Sequence, residues 1–311
     1  MKAVLPALAR PLIEAQLPAG LDLHWFASHE EAEAMIADAD LAWVDMRRPE
    51  WTGATAAKGA KLKWLSTIYA GIDAFDTDLL RQRGTILTNG VGINAIPVAE
   101  YAVLGMLAAA KRFDAVVRMA DRHEWPAAAP GVSELYQSRA LIVGYGTIGR
   151  LIGERLQAFG VEVTGVTRSG RDGTLTPDQW RARVGDHDWL ILAAPSTADT
   201  NAMIGAAELS AMKLGAWLIN IARGDMVDQP ALIAALESRR IGGAFLDVTD
   251  PEPLPPEHPL WGAPNTIHSM HLSGRSTSRM FTRPTALFIE NVHLFVAGKP
   301  MRNMVDLDVG Y

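Results

Sequence analysis

Hydrophobic positions in this chain fall into short runs separated by segments of helical spacing. In the first hundred residues, Leu21–Phe26, Leu41–Asp45, Trp64–Thr67 and Thr85–Thr88 have the length and apolar content of strands. Glu30–Ala37 and Asp76–Arg83 read as helices between them. Alternation of this kind predicts βαβ units and a parallel sheet. Pro97 suits the first turn of a helix, and a long apolar helix is predicted from Val98 to about Arg112, followed by a second helix over Phe113–Glu124. Trp125–Gly131 reads as a loop. The alternation then resumes with strands at Arg139–Val143, Val161–Thr167, Trp189–Ala193, Ala216–Ile221, Gly243–Val248 and Thr266–Ser269. Helices are predicted at Thr147–Phe159, Ala206–Lys213 and Pro230–Arg239, with a terminal helix over Ser276–Ala297. The apolar runs of this second half are continuous, as expected of strands buried on both faces. The fold class is therefore α/β, with two doubly wound, Rossmann-like parallel-sheet domains.

Composition narrows the function. The chain of 311 residues carries a net charge of −6, which gives no general attraction to nucleic acid or an anionic membrane. It has no cysteine, so disulfides, thiolate metal sites and a cysteine nucleophile are excluded. The N-terminal residues lack a signal peptide's apolar core. The longest apolar run, Val98–Ala110, is too short to span a bilayer and contains Glu100. These features predict a soluble, cytoplasmic protein, and no metal site is expected.

The strongest motif is Gly144-Tyr145-Gly146-Thr147-Ile148-Gly149, which follows a predicted strand and opens a predicted helix. In that context a GxGxxG loop binds a dinucleotide. Glycines permit the tight turn and the approach of the pyrophosphate, and the helix N-terminus offers it N–H groups. An NAD site usually carries an acidic residue about 20 residues further on, bonding the ribose 2′-OH. Here the second strand ends at Thr167 and runs into Arg168-Ser169-Gly170-Arg171, with no carboxylate before Asp172. Arg168, Ser169 and Arg171 suit a 2′-phosphate, so NADP(H) is the expected cofactor and NAD(H) the second candidate. A solvated basic turn is the alternative reading of those residues.

Three further segments are Asn220-Ile221-Ala222-Arg223-Gly224-Asp225, Leu246-Asp247-Val248-Thr249-Asp250-Pro251-Glu252-Pro253, and His268-Ser269-Met270-His271-Leu272-Ser273-Gly274. Together with the glycine loop they resemble the D-isomer-specific 2-hydroxyacid dehydrogenase family, in its glyoxylate/hydroxypyruvate reductase branch. The resemblance extends from about Trp64 to Asn303. It implies that Arg223 binds the carboxylate of a small 2-ketoacid and polarises its carbonyl. It implies that His271, oriented by Glu252, transfers the proton. A guanidinium suits a carboxylate, and a histidine titrates near working pH. His268 is the competing histidine, but the family's spacing from histidine to glycine fits His271 and Gly274. The family commonly has proline before that histidine, and this chain has Met270.

The resemblance also implies cofactor contacts at Ala194, Pro195, Thr200, Ile221, Ala222, Asp247, Ser273 and Gly274, with Asp247 beside the nicotinamide carboxamide. Ala70, Gly71 and Ile72 resemble the loop whose amides receive the substrate carboxylate, and Arg47 or Arg48 could add a second cation. Family architecture places a substrate domain of flavodoxin-like type at 1–105 and 276–311, a cofactor domain at 106–275, and a cleft between them. The segment Met119–Pro126, with Trp125, resembles an arm through which family members form homodimers, although Trp125 could equally pack within its own domain. Two other readings remain. One is a phosphoglycerate or formate dehydrogenase relative. The other is a dinucleotide-sensing, corepressor-like binding protein with little turnover.

Overall fold

The computed structural model describes residues 1–45, 48–275 and 282–308. The chain divides into two compact units, Met1–Asn94 with Ser276–Tyr311, and Ala95–Arg275. Each is a parallel sheet flanked by helices.

The first unit has strands β1 (Lys2–Pro6), β2 (Asp22–Phe26), β3 (Leu41–Trp43), β4 (Trp64–Ser66) and β5 (Ile86–Thr88), in the order β2-β1-β3-β4-β5. This is the flavodoxin-like order. Its helices are α1 (Arg10–Ile13), α2 (His29–Ile36), α3 (Pro49–Lys58), α4 (Thr77–Arg83) and α11 (Thr282–Val296). Strand β1 was not foreseen from the pattern. Its apolar stretch is only Ala3-Val4-Leu5 before Pro6, yet all three are fully buried between β2 and β3. Helix α3 was also unforeseen, although Pro49 stands in its first turn. The terminal helix returns to this unit, where Phe288 stacks on Trp64 and packs against Trp43.

The second unit has strands β6 (Arg139–Val143), β7 (Glu162–Val166), β8 (Trp189–Leu192), β9 (Trp217–Asn220), β10 (Gly243–Leu246) and β11 (Thr266–His268). All pair in parallel, in the order β11-β10-β9-β8-β6-β7. Its helices are α5 (Ala95–Lys111), α6 (Phe113–Asp121), α7 (Thr147–Ala158), α8 (Pro177–Arg181), α9 (Ala206–Ala211) and α10 (Gln229–Glu237). The chain reverses its direction of winding between β6 and β8, and ligands bind open α/β sheets at such a switch point, beyond the strand C-termini.

The boundary between the units falls at Asn94, ahead of α5, and not at 105 within it. The reason is packing. Val98, Ala102, Met106 and Ala109 of α5 are buried in one cluster with Ile219 and Phe245 of the second sheet. Helix α6 contrasts with α5, since none of its residues is buried. Among the described residues, no helix is long and apolar enough to cross a membrane.

Candidate active site

Strands β8, β9, β10 and β11 end side by side, because Leu192 and Leu246 are both in register with Asn220, and Leu246 is also in register with His268. The segments that leave these ends therefore lie in a row. They carry Ala194 and Pro195, then Ile221, Ala222 and Arg223, then Asp247 to Glu252, then Ser269 to Gly274. The family resemblance singled out these segments, and the parallel register brings them together.

At the β10–β11 end of this row, His271 Nδ1 lies 2.6 Å from Glu252 Oε2. The other oxygen, Oε1, accepts from the Thr249 amide at 3.0 Å. The pair is about half exposed. The hydrogen bond that His271 donates to Glu252, helped by the charges of Glu252 and Asp247, raises the His271 pKa above its ordinary value against burial and the Arg223 charge. Burial would raise the Glu252 pKa, but the bonds from His271 and Thr249, with the charges of His271 and Arg223, pull it below the usual value. Arg223 thus acts electrostatically on both partners. Its guanidinium donates to the Ala222 carbonyl at 2.8 Å. His268 lies elsewhere. Its Nε2 is 3.1 Å from the Leu260 carbonyl, its ring is tilted against Trp261, and burial lowers its pKa.

The supporting roles of two residues are visible only in three dimensions. Buried Asn220 donates to the Arg223 carbonyl at 2.9 Å and accepts from the Ala222 amide at 3.0 Å, which shapes the turn presenting the guanidinium. Asp247 is buried as well. Its Oδ1 accepts from Ser269 Oγ at 2.6 Å, Leu272 N at 2.9 Å and Ser273 N at 3.2 Å. The His271 amide donates to the Asp247 carbonyl at 2.5 Å. Asp247 therefore braces the loop that carries His271. Within that loop Met270 and His271 have φ of 52° and 55°. Proline fixes φ near −65°, so this turn excludes proline at Met270 and accounts for the departure from family usage. Consecutive left-handed residues other than glycine cost of order 1–3 kcal/mol each and persist only where bonds hold them.

The glycine loop fits a dinucleotide. Gly144 has φ of 94°, and a Cβ there would come within 2.3 Å of the Ala194 amide. The loop is thus packed against the Ala194–Pro195 turn, which Thr200 closes by donating to the Pro195 carbonyl at 2.9 Å. A Cβ on Gly146 would meet open space. Gly146 and Thr147 are exposed, and no side chain caps the first turn of α7. Its leading N–H groups are therefore presented to a phosphate. Tyr145 packs under the Arg150 guanidinium, 5.4 Å from ring to carbon, while Ile148 is half-buried in the core below. Beyond β7, Arg168, Ser169 and Arg171 are all exposed, and the Thr167 hydroxyl shapes their turn by accepting from Gly170 N at 3.1 Å. Asp172 pairs with Arg150 at 3.0 Å.

Ala70, Gly71 and Ile72 belong to the first unit, in the segment after β4. Arg48 is exposed, with its guanidinium 5.0 Å from the centre of the Trp51 ring, and Arg47 lies outside the described residues. So does Ser276–Phe281, where the sequence placed the start of the last helix. Trp125 is 98% exposed, which removes the reading in which it packs within its own domain.

Residues 103–273 match the family model described as D-isomer specific 2-hydroxyacid dehydrogenase, NAD binding domain. Glyoxylate/hydroxypyruvate reductase B of Pectobacterium atrosepticum is 31% identical over 259 residues, which cover 80% of each chain. A crystal structure of a D-isomer specific 2-hydroxyacid dehydrogenase family protein from Aeromonas salmonicida superposes with a TM-score of 0.87, at 27% identity, over 99% of each chain. An NADPH-dependent glyoxylate/hydroxypyruvate reductase of Sinorhizobium meliloti, solved with NADP and malonate, is 25% identical with a TM-score of 0.75, over 99% of this chain and 98% of that one. With two parallel-sheet domains and a dinucleotide loop, the chain belongs to the D-isomer specific 2-hydroxyacid dehydrogenase family and is an NAD(P)-dependent oxidoreductase acting on a CH–OH group.

Proposed function

We propose that the protein reduces a small 2-ketoacid of the glyoxylate or hydroxypyruvate type to the 2-hydroxyacid with NADPH, using Arg223, His271 and Glu252. The observation that carries this reading is the His271–Glu252 contact of 2.6 Å beside the Arg223 charge. The cofactor supplies the hydride, and the protein's residues bind the acid, stabilise the developing alkoxide and deliver a proton. Arg223 takes the substrate carboxylate through its planar fork and polarises the carbonyl. Glu252 engages Nδ1 and stabilises the imidazolium, which leaves Nε2 to carry the transferable proton. Asp247, Ser273 and Gly274 hold the His271 loop against the nicotinamide end. Gly144, Tyr145, Gly146, Thr147 and Ile148 cradle the pyrophosphate, with Ala194, Pro195, Thr200, Ile221 and Ala222 along its side. Arg168, Ser169 and Arg171 take the 2′-phosphate. The amides of Ala70, Gly71 and Ile72 receive the substrate carboxylate. The exposed face of α6, with Phe113, Val117 and the loop residue Trp125, is the contact of a homodimer.

The test is oxidation of NADPH and of NADH, separately, with glyoxylate, hydroxypyruvate and phenylpyruvate. The expected result is turnover with NADPH well above that with NADH. The Arg168→Ala variant should raise the KM for NADPH about tenfold and leave that for NADH unchanged. Turnover with NADH alone would overturn the phosphate site. Cofactor binding without turnover of any ketoacid would favour a dinucleotide-sensing role.

A further inference from the structure

A partly buried acid that the reaction does not use stands in the first unit. Asp45 follows β3 by two residues, and its carboxylate is enclosed by three neutral donors. Oδ1 accepts from Thr67 Oγ1 at 2.6 Å. Oδ2 accepts from the Ile68 amide at 2.6 Å and from Trp43 Nε1 at 2.7 Å. Thr67 Oγ1 in turn accepts from the Tyr69 amide at 3.2 Å. The next two peptides are fixed from the other side. The Tyr69 carbonyl accepts from Gly90 N at 2.8 Å, and the Ala70 carbonyl from Asn89 Nδ2 at 3.0 Å. In a trans peptide the N–H points opposite to the C=O. With both carbonyls turned toward the 89–90 segment, the N–H groups of Ala70 and Gly71 point the other way, side by side, as in an anion-binding nest.

We propose that Asp45 is a positioning residue for this nest: its ionised carboxylate grips Thr67 and Ile68 so that the following amides are held in place for the carboxylate of the substrate. The inference rests on the assignment of Ala70–Ile72 as the carboxylate-receiving loop. Placing an anion here works against stability. Burial pushes the Asp45 pKa up from 3.8 to about 6, while Thr67, Ile68 and Trp43 oppose the rise and, among the described residues, no cation contributes; Arg47 lies outside them. The charged side chains on the flanking segments, Arg48, Glu50 and Asp73, are all exposed, and Tyr69 is the other titratable group of the loop. A charge kept where a neutral residue would fit better points to function. Asp45 loses its charge as the pH falls through about 6, so the nest loosens and the KM for the ketoacid rises there.

The test is Asp45→Asn in the full-length protein. An asparagine oxygen can accept from Ile68 and Trp43 while its Nδ2 donates to Thr67 Oγ1, so the variant mimics the protonated acid and keeps the fold. At pH 7 the KM for glyoxylate or hydroxypyruvate should rise about tenfold, because charge-assisted bonds become neutral ones. The kcat and the KM for NADPH should not change. Between about pH 5 and pH 7 the variant's KM should be flat, whereas the wild-type KM should climb toward it on the acid side. Amide hydrogen exchange of Ile68–Ile72 should quicken, while the melting temperature at pH 7 should not fall. An unchanged KM with unchanged exchange overturns the role of Asp45 and leaves the assignment of the loop standing. Faster exchange with an unchanged ketoacid KM overturns that assignment, and the inference with it.

Discussion

Glu252 in the second unit and Asp45 in the first are both carboxylates just beyond the end of a β-strand, and they titrate in opposite directions. Glu252 has a histidine at 2.6 Å and the charge of Arg223 nearby, and its pKa lies below the usual value. Asp45 has donors as short, at 2.6 and 2.7 Å, but all are neutral, and its pKa lies above the usual value. Hydrogen-bond length therefore does not set the sign. Desolvation penalises both anions; at the more exposed Glu252 the bonds from His271 and Thr249 and the nearby cations outweigh it, whereas at the less exposed Asp45 three neutral donors do not. The difference suits two tasks. Glu252 must stay charged to hold an imidazolium, whereas Asp45 orients a loop and can lose its charge at mildly acidic pH.

Removing the cation from the first site should have the largest effect. His271→Gln should lower kcat by about 10²–10⁴-fold, because no group remains to deliver the proton, with NADPH binding retained by fluorescence titration. A kcat within a few-fold of wild type would place the acid elsewhere. Glu252→Gln comes next, with a fall in kcat of about 10–100-fold. The pH profile should move as well. With His271 as the proposed proton donor, ketoacid reduction should fall as pH rises through its pKa, which lies above the ordinary histidine value. Loss of the Glu252 bond should bring that limb down in pH, while Asp45→Asn should leave it in place. The smallest effect is on stability. The native state of Asp45 binds its proton more tightly than the unfolded chain, so its charge costs stability as pH rises through about 6. The melting temperature of Asp45→Asn relative to wild type should be equal below about pH 4 and higher at pH 7, by at most about 3 kcal/mol of stability. The opposite trend would mean that the carboxylate has a cationic partner.

The second unit was far easier to read from sequence than the first. Arg223, Glu252 and His271 were reached there through the family resemblance, but its strands are continuous apolar runs and its glycine loop has fixed spacing. Such features are local, and periodicity with turn chemistry encodes them. In the first unit β1 was hidden because three apolar residues before a proline are too few to mark a strand, and its burial comes entirely from β2 and β3. The place of α5 was likewise undecided, since an apolar helix does not state which sheet it covers; Phe245, far along the chain, decides it.

The sequence by itself determined the parallel α/β class, the dinucleotide loop and the absence of thiol chemistry. These follow from residue types at short separations. Only the tertiary structure decided that Asp247 braces the histidine loop, that Met270 occupies a turn closed to proline, that Trp125 stands in solvent, and that Asp45 lies among neutral donors. Each of these depends on atoms brought together from distant segments, and the free energy of a charge or a backbone turn is set by those neighbours and not by its own place in the chain.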